Sequence, residues 1–243
     1  MAQAVTHLKL PFEFEVASLK QDLAVILNQD WIPHFNKEGY TGNWKAVPLY
    51  AAGGQSWNIY ANPDQEVMPT EVLSDCPYFA KVIDSLKCKV ISARILRLEV
   101  GAEIKPHRDF DLGYEDGCFR IHVPILTNPG VEFILDDHRL DMQAGECWYT
   151  NVNYVHSVKN TGDTDRFHLV MDYERNPWSD DLFFKLADKE GLLSGPTKKE
   201  SKENLLAMIS ELELSDAPIA ATLIAEAKKK LNQFQSYRSS GGK

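Results

Sequence analysis

Apolar and polar positions change their spacing several times along the chain, and the changes outline a fold. Residues 8–16 alternate loosely and suit an opening strand. Ser18, with Gln21 three residues on, has the pattern of a helix N-cap, and Leu19, Leu23, Ile26 and Leu27 follow at helical spacing. The aromatic-rich stretches around Trp31 and Tyr40 read as loop, and Lys45-Ala-Val-Pro-Leu-Tyr50 reads as a short strand ending at Gly53-Gly54. A helix beginning near Asp75 carries Phe79, Val82, Ile83 and Leu86 on one face, with Pro77 accommodated in its first turn.

The spacing then switches to two. Ile91, Ala93 and Ile95 alternate with Ser92 and Arg94, after which the phase slips and Leu96, Leu98 and Val100 alternate with Arg97 and Glu99. That slip predicts a bulge at Ile95-Leu96, or two strands meeting there. Short apolar or alternating runs recur at 119–126, 131–135, 146–150, 154–159 and 166–173, separated by Asn128-Pro-Gly130, Asp136-Asp137, Ala144-Gly145 and Thr161-Gly162-Asp163. Short strands at this spacing predict a mainly β architecture, with an antiparallel jelly roll the best fit. After Asn176 the pattern turns helical up to Gly195-Pro196. Residues 197–243 suit two amphipathic helices, one with Leu205, Ile209 and Leu212, the other with Ala220, Leu223, Ala227, Leu231 and Phe234. The expected division is a β domain over residues 1–178, with helices near its N-terminus, and a helical appendage over 179–243.

Composition narrows the function classes. An apolar fraction of 44% in 243 residues is ample for a core. A net charge of −9 argues against nucleic acid or an anionic membrane as partner. No apolar run is long enough to span a bilayer, and the N-terminus reaches Phe12-Glu-Phe-Glu too soon for a secretory signal. Four scattered cysteines without a Cys-x-x-Cys pair fit reduced thiols in a cytoplasmic protein.

Five of the seven histidines fall between Gly101 and Tyr173. His107 and Asp109, two apart, can share one face of a strand, and His156 sits in a later strand of the same region. Two imidazoles and one carboxylate form the open ligand set of non-haem Fe(II) oxygenases. Arg166, ten residues beyond His156, offers a guanidinium that can pair bidentately with the far carboxylate of 2-oxoglutarate. Blander readings stand beside these. His107 and Asp109 could form a surface turn, Arg120 an exposed strand position, and Trp148, Tyr149 and Tyr154 core or wall. His168, in phase with Arg166, reads first as a satisfied core histidine. His138 lies in a hairpin with solvent around it, and His7 and His34 have no supporting context. The C-terminal helices suit packing or a homodimer contact.

The pattern Gly101-x-x-Ile104-x-x-His107-x-Asp109, followed by Arg120-x-His122 and by His156 with Arg166, resembles the aspartyl/asparaginyl β-hydroxylase family of 2-oxoglutarate/Fe(II) dioxygenases. The likeness runs over about residues 18–175 and is strongest to the bacterial proline hydroxylase branch. It implies a double-stranded β-helix, a cupin-like jelly roll, with His107, Asp109 and His156 on Fe(II). It implies Arg166 on the C5 carboxylate of 2-oxoglutarate, with Arg120 and His122 in the same co-substrate pocket. The implied reaction takes O2 and 2-oxoglutarate, releases succinate and CO2, and hydroxylates an unactivated C–H of a small-molecule substrate, an amino acid free or in a peptide. Two rivals are a cupin-like metal-binding isomerase using His168 as an extra ligand, and a non-catalytic binding module working through the C-terminal helices. Which amino acid is used, and whether Arg120 meets substrate or 2-oxoglutarate, the residues leave open.

Overall fold

The computed structural model describes residues 3–34, 36–59, 65–196, 202–213 and 220–239. Chain contacts divide it into two units, Met1–Pro196 and Thr197–Lys243. In the second unit, α6 (Lys202–Glu213) and α7 (Ala220–Ser239) bury Ile209 against Ala227 and Leu231.

The first unit opens with β1 (His7–Glu13), α1 (Val16–Ile26), β2 (Ile32–Pro33), β3 (Tyr40–Thr41), β4 (Trp44–Ala52) and β5 (Val67–Pro69). Two helices follow, α2 (Glu71–Ser74) and α3 (Pro77–Asp84), and then β6 (Val90–Leu98) and β7 (Glu103–His107). The remaining strands are β8 (Cys118–Leu126), β9 (Val131–Leu135), β10 (His138–Arg139), β11 (Glu146–Thr150), β12 (His156–Asn160) and β13 (Arg166–Glu174), with α4 (Pro177–Leu186) and α5 (Lys189–Leu192) closing the unit. The larger sheet has the order β1-β11-β8-β13-β6-β4-β2, with β5 beside β4, and the smaller has β10-β9-β12-β7-β3. All their pairings are antiparallel, and together they form a double-stranded β-helix of the jelly-roll, cupin-like kind.

The expected break at Ile95-Leu96 does not occur. β6 runs uninterrupted from Val90 to Leu98 and pairs residue for residue with β13 from Leu98–Arg166 to Ser92–Asp172. The apparent slip has another cause: both faces of this strand are covered. Ala93 and Ile95 enter the main core on one face, while Leu96 packs with Ala46 and Val170 on the other and Leu98 joins a second cluster with Trp44 and Ile104. An apolar residue therefore suits either parity. The register irregularities lie instead at Ile91 against β13 and at Leu49 of β4 against β6.

The outer face of the larger sheet makes the main core. Ile121, Val123, Leu169 and Met171 meet Leu19, Leu23 and Ile26 of α1, Phe79, Val82 and Ile83 of α3, and Phe183 of α4. The N-terminus of α1 differs from the Ser18 expectation. Glu15 is the cap, its carboxylate accepting from the backbone N–H of Ala17 at 3.0 Å and of Ser18 at 2.6 Å, so Ser18 lies inside the first turn. Helix α3 has no side-chain cap of its own at Cys76. Buried Asp22 of α1 supplies it across the helix pair, accepting at 2.8 Å from the N–H groups of both Tyr78 and Phe79. The four cysteines are free. Burial pushes the thiols of Cys76 and Cys118 up to about 12. No described helix is long and apolar enough to cross a membrane.

Because Asp22 answers two otherwise orphaned donors inside the core, Asp22→Ala is expected to lower stability by about 1–3 kcal/mol in urea unfolding. A loss under about 0.5 kcal/mol, the scatter of surface substitutions, would mean that another group caps α3.

Candidate active site

The smaller sheet sets two histidines opposite each other. His107, the last residue of β7, pairs in register with His156, the first of β12, and their rings lie 4.1 Å apart between centroids. Asp109 follows two residues after β7 and is fixed in backbone by its N–H donating to Val152 O at 2.9 Å. One ligand atom from each of His107, Asp109 and His156 lies within 4.8 Å of the other two.

The tautomers follow from the backbone. His107 Nδ1 lies 2.8 Å from Lys105 O, and His156 Nδ1 lies 3.1 Å from Tyr154 O. A carbonyl can only accept, so both Nδ1 atoms carry hydrogen, and each neutral ring keeps its lone pair on Nε2. His107 Nε2 stands 3.8 Å from Asp109 Oδ1. Burial is the largest influence on His156 and holds its pKa down to about 4, so the ring stays a neutral donor at physiological pH. Burial alone would push Asp109 up, but the Arg120 guanidinium, with His156 and His107, outweighs it and holds the carboxyl well below the usual range.

The larger sheet contributes a polar inner face. Side chains two apart share a face, so Arg120 and His122 of β8, Arg166, His168 and Asp172 of β13, and Ser92 and Arg94 of β6 look the same way. Asp172 stands in register with Arg120 on one side and Ser92 on the other. Arg120 donates from Nε to Asp172 Oδ1 at 2.7 Å and from Nη2 to Oδ2 at 3.0 Å, while its Nη1 donates to Asp109 Oδ2. Ser92 Oγ donates to Asp172 Oδ2 at 2.8 Å, and Arg94 donates to Ser92 Oγ at 3.0 Å.

Arg166 is different. It is 1% exposed, and among the described residues no carboxylate pairs with it. Its Nη2 donates to His168 Nδ1 at 2.9 Å and its Nε has no partner among the described residues. Burial lowers its pKa to about 9. Near it His122 has both ring nitrogens buried without a partner among the described residues, its ring 5.7 Å from that of His168. Burial first, and Arg166 second, hold His122 well below its ordinary pKa. Buried polar atoms of native proteins nearly always have partners. These unmet polar atoms, headed by the N–H of a sealed guanidinium, have the chemistry of a site for a carboxylate ligand.

The structure thus brings His107, Asp109 and His156 together and lines up Arg120, His122 and Arg166 on the facing sheet. Arg120 already has protein carboxylates on both sides. His168 faces inward, satisfied by Arg166. His138 is exposed. His34, which had no sequence context, belongs to the wall: it stacks on Trp44 at 3.5 Å between centroids, and Trp44 approaches His107 at 6.4 Å. Arg94 and Asp172 were also missed. Their signal was present, since Asp172 shares parity with Arg166 and His168 inside an otherwise apolar run.

The chain is similar to known proteins over most of the β-helix unit. The family model described as Aspartyl/Asparaginyl beta-hydroxylase matches residues 13–176. The chain is 30% identical over 173 residues to L-proline cis-3-hydroxylase 1 of Streptomyces sp, covering 69% of this chain and 59% of that protein. It is 26% identical to L-proline cis-4-hydroxylase of Rhizobium meliloti (strain 1021), covering 70% of this chain and 61% of the relative. The chain therefore spans about three-fifths of the length of these relatives. A crystal structure described as an oxidoreductase of the 2OG-Fe(II) oxygenase family, from Burkholderia pseudomallei, shares the fold with a TM-score of 0.50 at 14% identity, covering 70% of this chain and 86% of that one.

Two outcomes follow from the buried groups. An unpaired guanidinium weakens the ligand-free fold, so Arg166→Met is expected to raise the thermal midpoint, by about 1 kcal/mol or more in stability. A lower midpoint would mean that Arg166 has a compensating partner. Burial also holds His34 down to about 3, and His122 and His168 well below their ordinary value. Between pH 6.5 and those lowered values the unfolded chain takes up protons that the folded chain refuses. Stability present above about pH 6.5 is then lost on acidification, by about 1.4 kcal/mol per pH unit for each group. Urea unfolding of the metal-free protein at pH 7.5 and 5.5 checks this; equal midpoints would contradict it.

Proposed function

The chain belongs to the aspartyl/asparaginyl β-hydroxylase family, and from that premise we propose that it is a 2-oxoglutarate- and Fe(II)-dependent dioxygenase that hydroxylates an unactivated C–H of an amino acid. The observation that carries this reading is Arg166, a guanidinium sealed inside the β-helix with no carboxylate of its own among the described residues, on the sheet facing the His107, Asp109 and His156 group. A protein has little reason to bury such a cation unless an anionic ligand completes it.

On this reading His107 and His156 offer Nε2 lone pairs, and Asp109 offers a carboxylate oxygen, to Fe(II). Two nitrogens and one oxygen leave coordination positions open for co-substrate and O2. Iron and 2-oxoglutarate, when bound, supply the oxidising power: 2-oxoglutarate loses CO2 to become succinate, and one atom of O2 enters the substrate as hydroxyl. Arg166 holds the far carboxylate of 2-oxoglutarate through its uncommitted Nε and remaining N–H groups, and His122 provides an adjacent ring nitrogen. The unmet polar atoms of this pocket fit that ligand.

The relatives' names point to a free amino acid, and proline is the first to test. A free amino acid brings its own carboxylate. Arg94 suits it best: its side chain keeps 19% exposure, and its contact with Asp172 is a loose 3.6 Å, whereas Arg120 is fully engaged. The exposed Phe110 and Val155, each next to a ligand residue, offer apolar surface beside the site. The four cysteines are free, with Cys76, Cys118 and Cys147 buried and Cys88 half-buried, and this supports the cytoplasm as its compartment.

The test is succinate release by Fe(II)-loaded protein given 2-oxoglutarate and each free amino acid in turn. One compound is expected to stimulate release strongly, and His107→Ala and Asp109→Ala to remove at least about 99% of the turnover, in line with loss of groups acting as a unit. A protein that neither binds nor consumes 2-oxoglutarate in the presence of Fe(II) would contradict the reading.

A further inference from the structure

Asp109 is the ligand residue with the weakest mechanical support. His107 and His156 sit in paired strands with Nδ1 pinned to a backbone carbonyl. Asp109 lies past the end of β7, and its side chain is about a third exposed. A carboxylate on such a segment is free to rotate about χ2, presenting either oxygen or both. Here it does not have that freedom. Arg120 Nη1 takes Oδ2, and Oδ1 is the oxygen left towards His107 Nε2.

Arg120 can do this only because its own fork is anchored. Nε and Nη2 bind the two oxygens of Asp172, at 2.7 and 3.0 Å, which fixes the guanidinium plane and directs Nη1 at Asp109. Asp172 is 3% exposed and held from the other side by Ser92. The three residues Ser92, Asp172 and Arg120 form one cross-strand rung over β6, β13 and β8. We propose that the Asp172–Arg120 couple is a positioning device for Asp109, holding Oδ2 away from the metal so that the carboxylate ligates through Oδ1 alone.

The inference rests on the metal-site reading above and gives Arg120 a task different from direct contact with 2-oxoglutarate. A one-oxygen ligand keeps coordination positions open that a chelating carboxylate would occupy. Asp172 touches neither metal nor substrate; it acts through Arg120.

The experiment is a titration of the full metal-free chain with Co(II), a spectroscopic stand-in for Fe(II), without 2-oxoglutarate, read by visible d–d absorption. Asp172→Asn is expected to weaken Co(II) binding about ten- to a hundredfold, as loss of groups behind metal ligands does, and to alter the band pattern. Arg120→Gln should do the same, and the two combined should do no more than either. Wild-type affinity and spectrum in Asp172→Asn overturn the proposal, as do effects that simply add. If Arg120 served only as a ligand contact, Co(II) affinity without 2-oxoglutarate would not change. His107→Ala is the control: wild-type Co(II) binding by it would overturn the metal-site reading itself. Should Asp172→Asn fail to fold because it strands the buried Arg120, the charge-free pair Arg120→Met with Asp172→Leu is read instead. The same loss is expected there, and unchanged affinity overturns the proposal.

Discussion

Burying a charge is tolerable only when something answers it, and the inner face of the larger sheet is built around that constraint. Three guanidiniums, of Arg94, Arg120 and Arg166, face two carboxylates, of Asp109 and Asp172. Asp172 satisfies Arg120 directly and reaches Arg94 through Ser92, and Asp109 satisfies the other end of Arg120. Arg166 is left over. Such an interior contributes little to stability and can subtract from it. The fold is held by the opposite face of the same strands, where Ile121, Val123, Leu169 and Met171 meet three helices. One sheet therefore does two jobs by parity, with its outward residues cohesive and its inward residues chemical.

That division explains which features could be read from the sequence. The strands after Cys118 announced themselves because turn residues separate them, and each expected run lies within a residue or two of an observed strand. The grouping of His107, Asp109 and His156 and the inward place of Arg166 were legible because these residues are chemically unusual in their places. Strand β6 was misjudged for a physical reason: when both faces of a strand are covered, hydrophobicity stops reporting which way a side chain points. Ser18 carried the local signature of a cap, but the helix starts earlier, at Val16, where Glu15 accepts from the N–H groups of Ala17 and of Ser18 itself. The capping of α3 by Asp22 joins residues 56 apart and leaves no local trace. His34 reaches the site through stacking on Trp44, likewise a tertiary event.

Arg120 shows how a motif can be right in place and incomplete in role. The pattern Arg120-x-His122 sets both residues on the inner face, where they lie. It says nothing about partners. Those lie elsewhere in the chain, with Asp172 on β13 fifty-two residues later and Asp109 eleven residues earlier, just after β7. A guanidinium committed to two carboxylates and one left uncommitted are chemically different groups, and only the distances separate Arg120 from Arg166.

The leftover positive charge also bears on how ligands would enter. On the proposed reading the compartment accepts a divalent cation beside Asp109 and a dianion at Arg166. The cation alone would add to an existing positive excess, and the dianion alone would overcompensate it, in surroundings where solvent screens little. Entering together they leave the balance of the interior unchanged. Each ligand should therefore bind more tightly in the presence of the other, and linkage makes that preference mutual. The asymmetry of the inner face, paired at Arg120 and open at Arg166, would then do more than mark where an anion goes: it would couple the occupancy of the carboxylate pocket to that of the metal site.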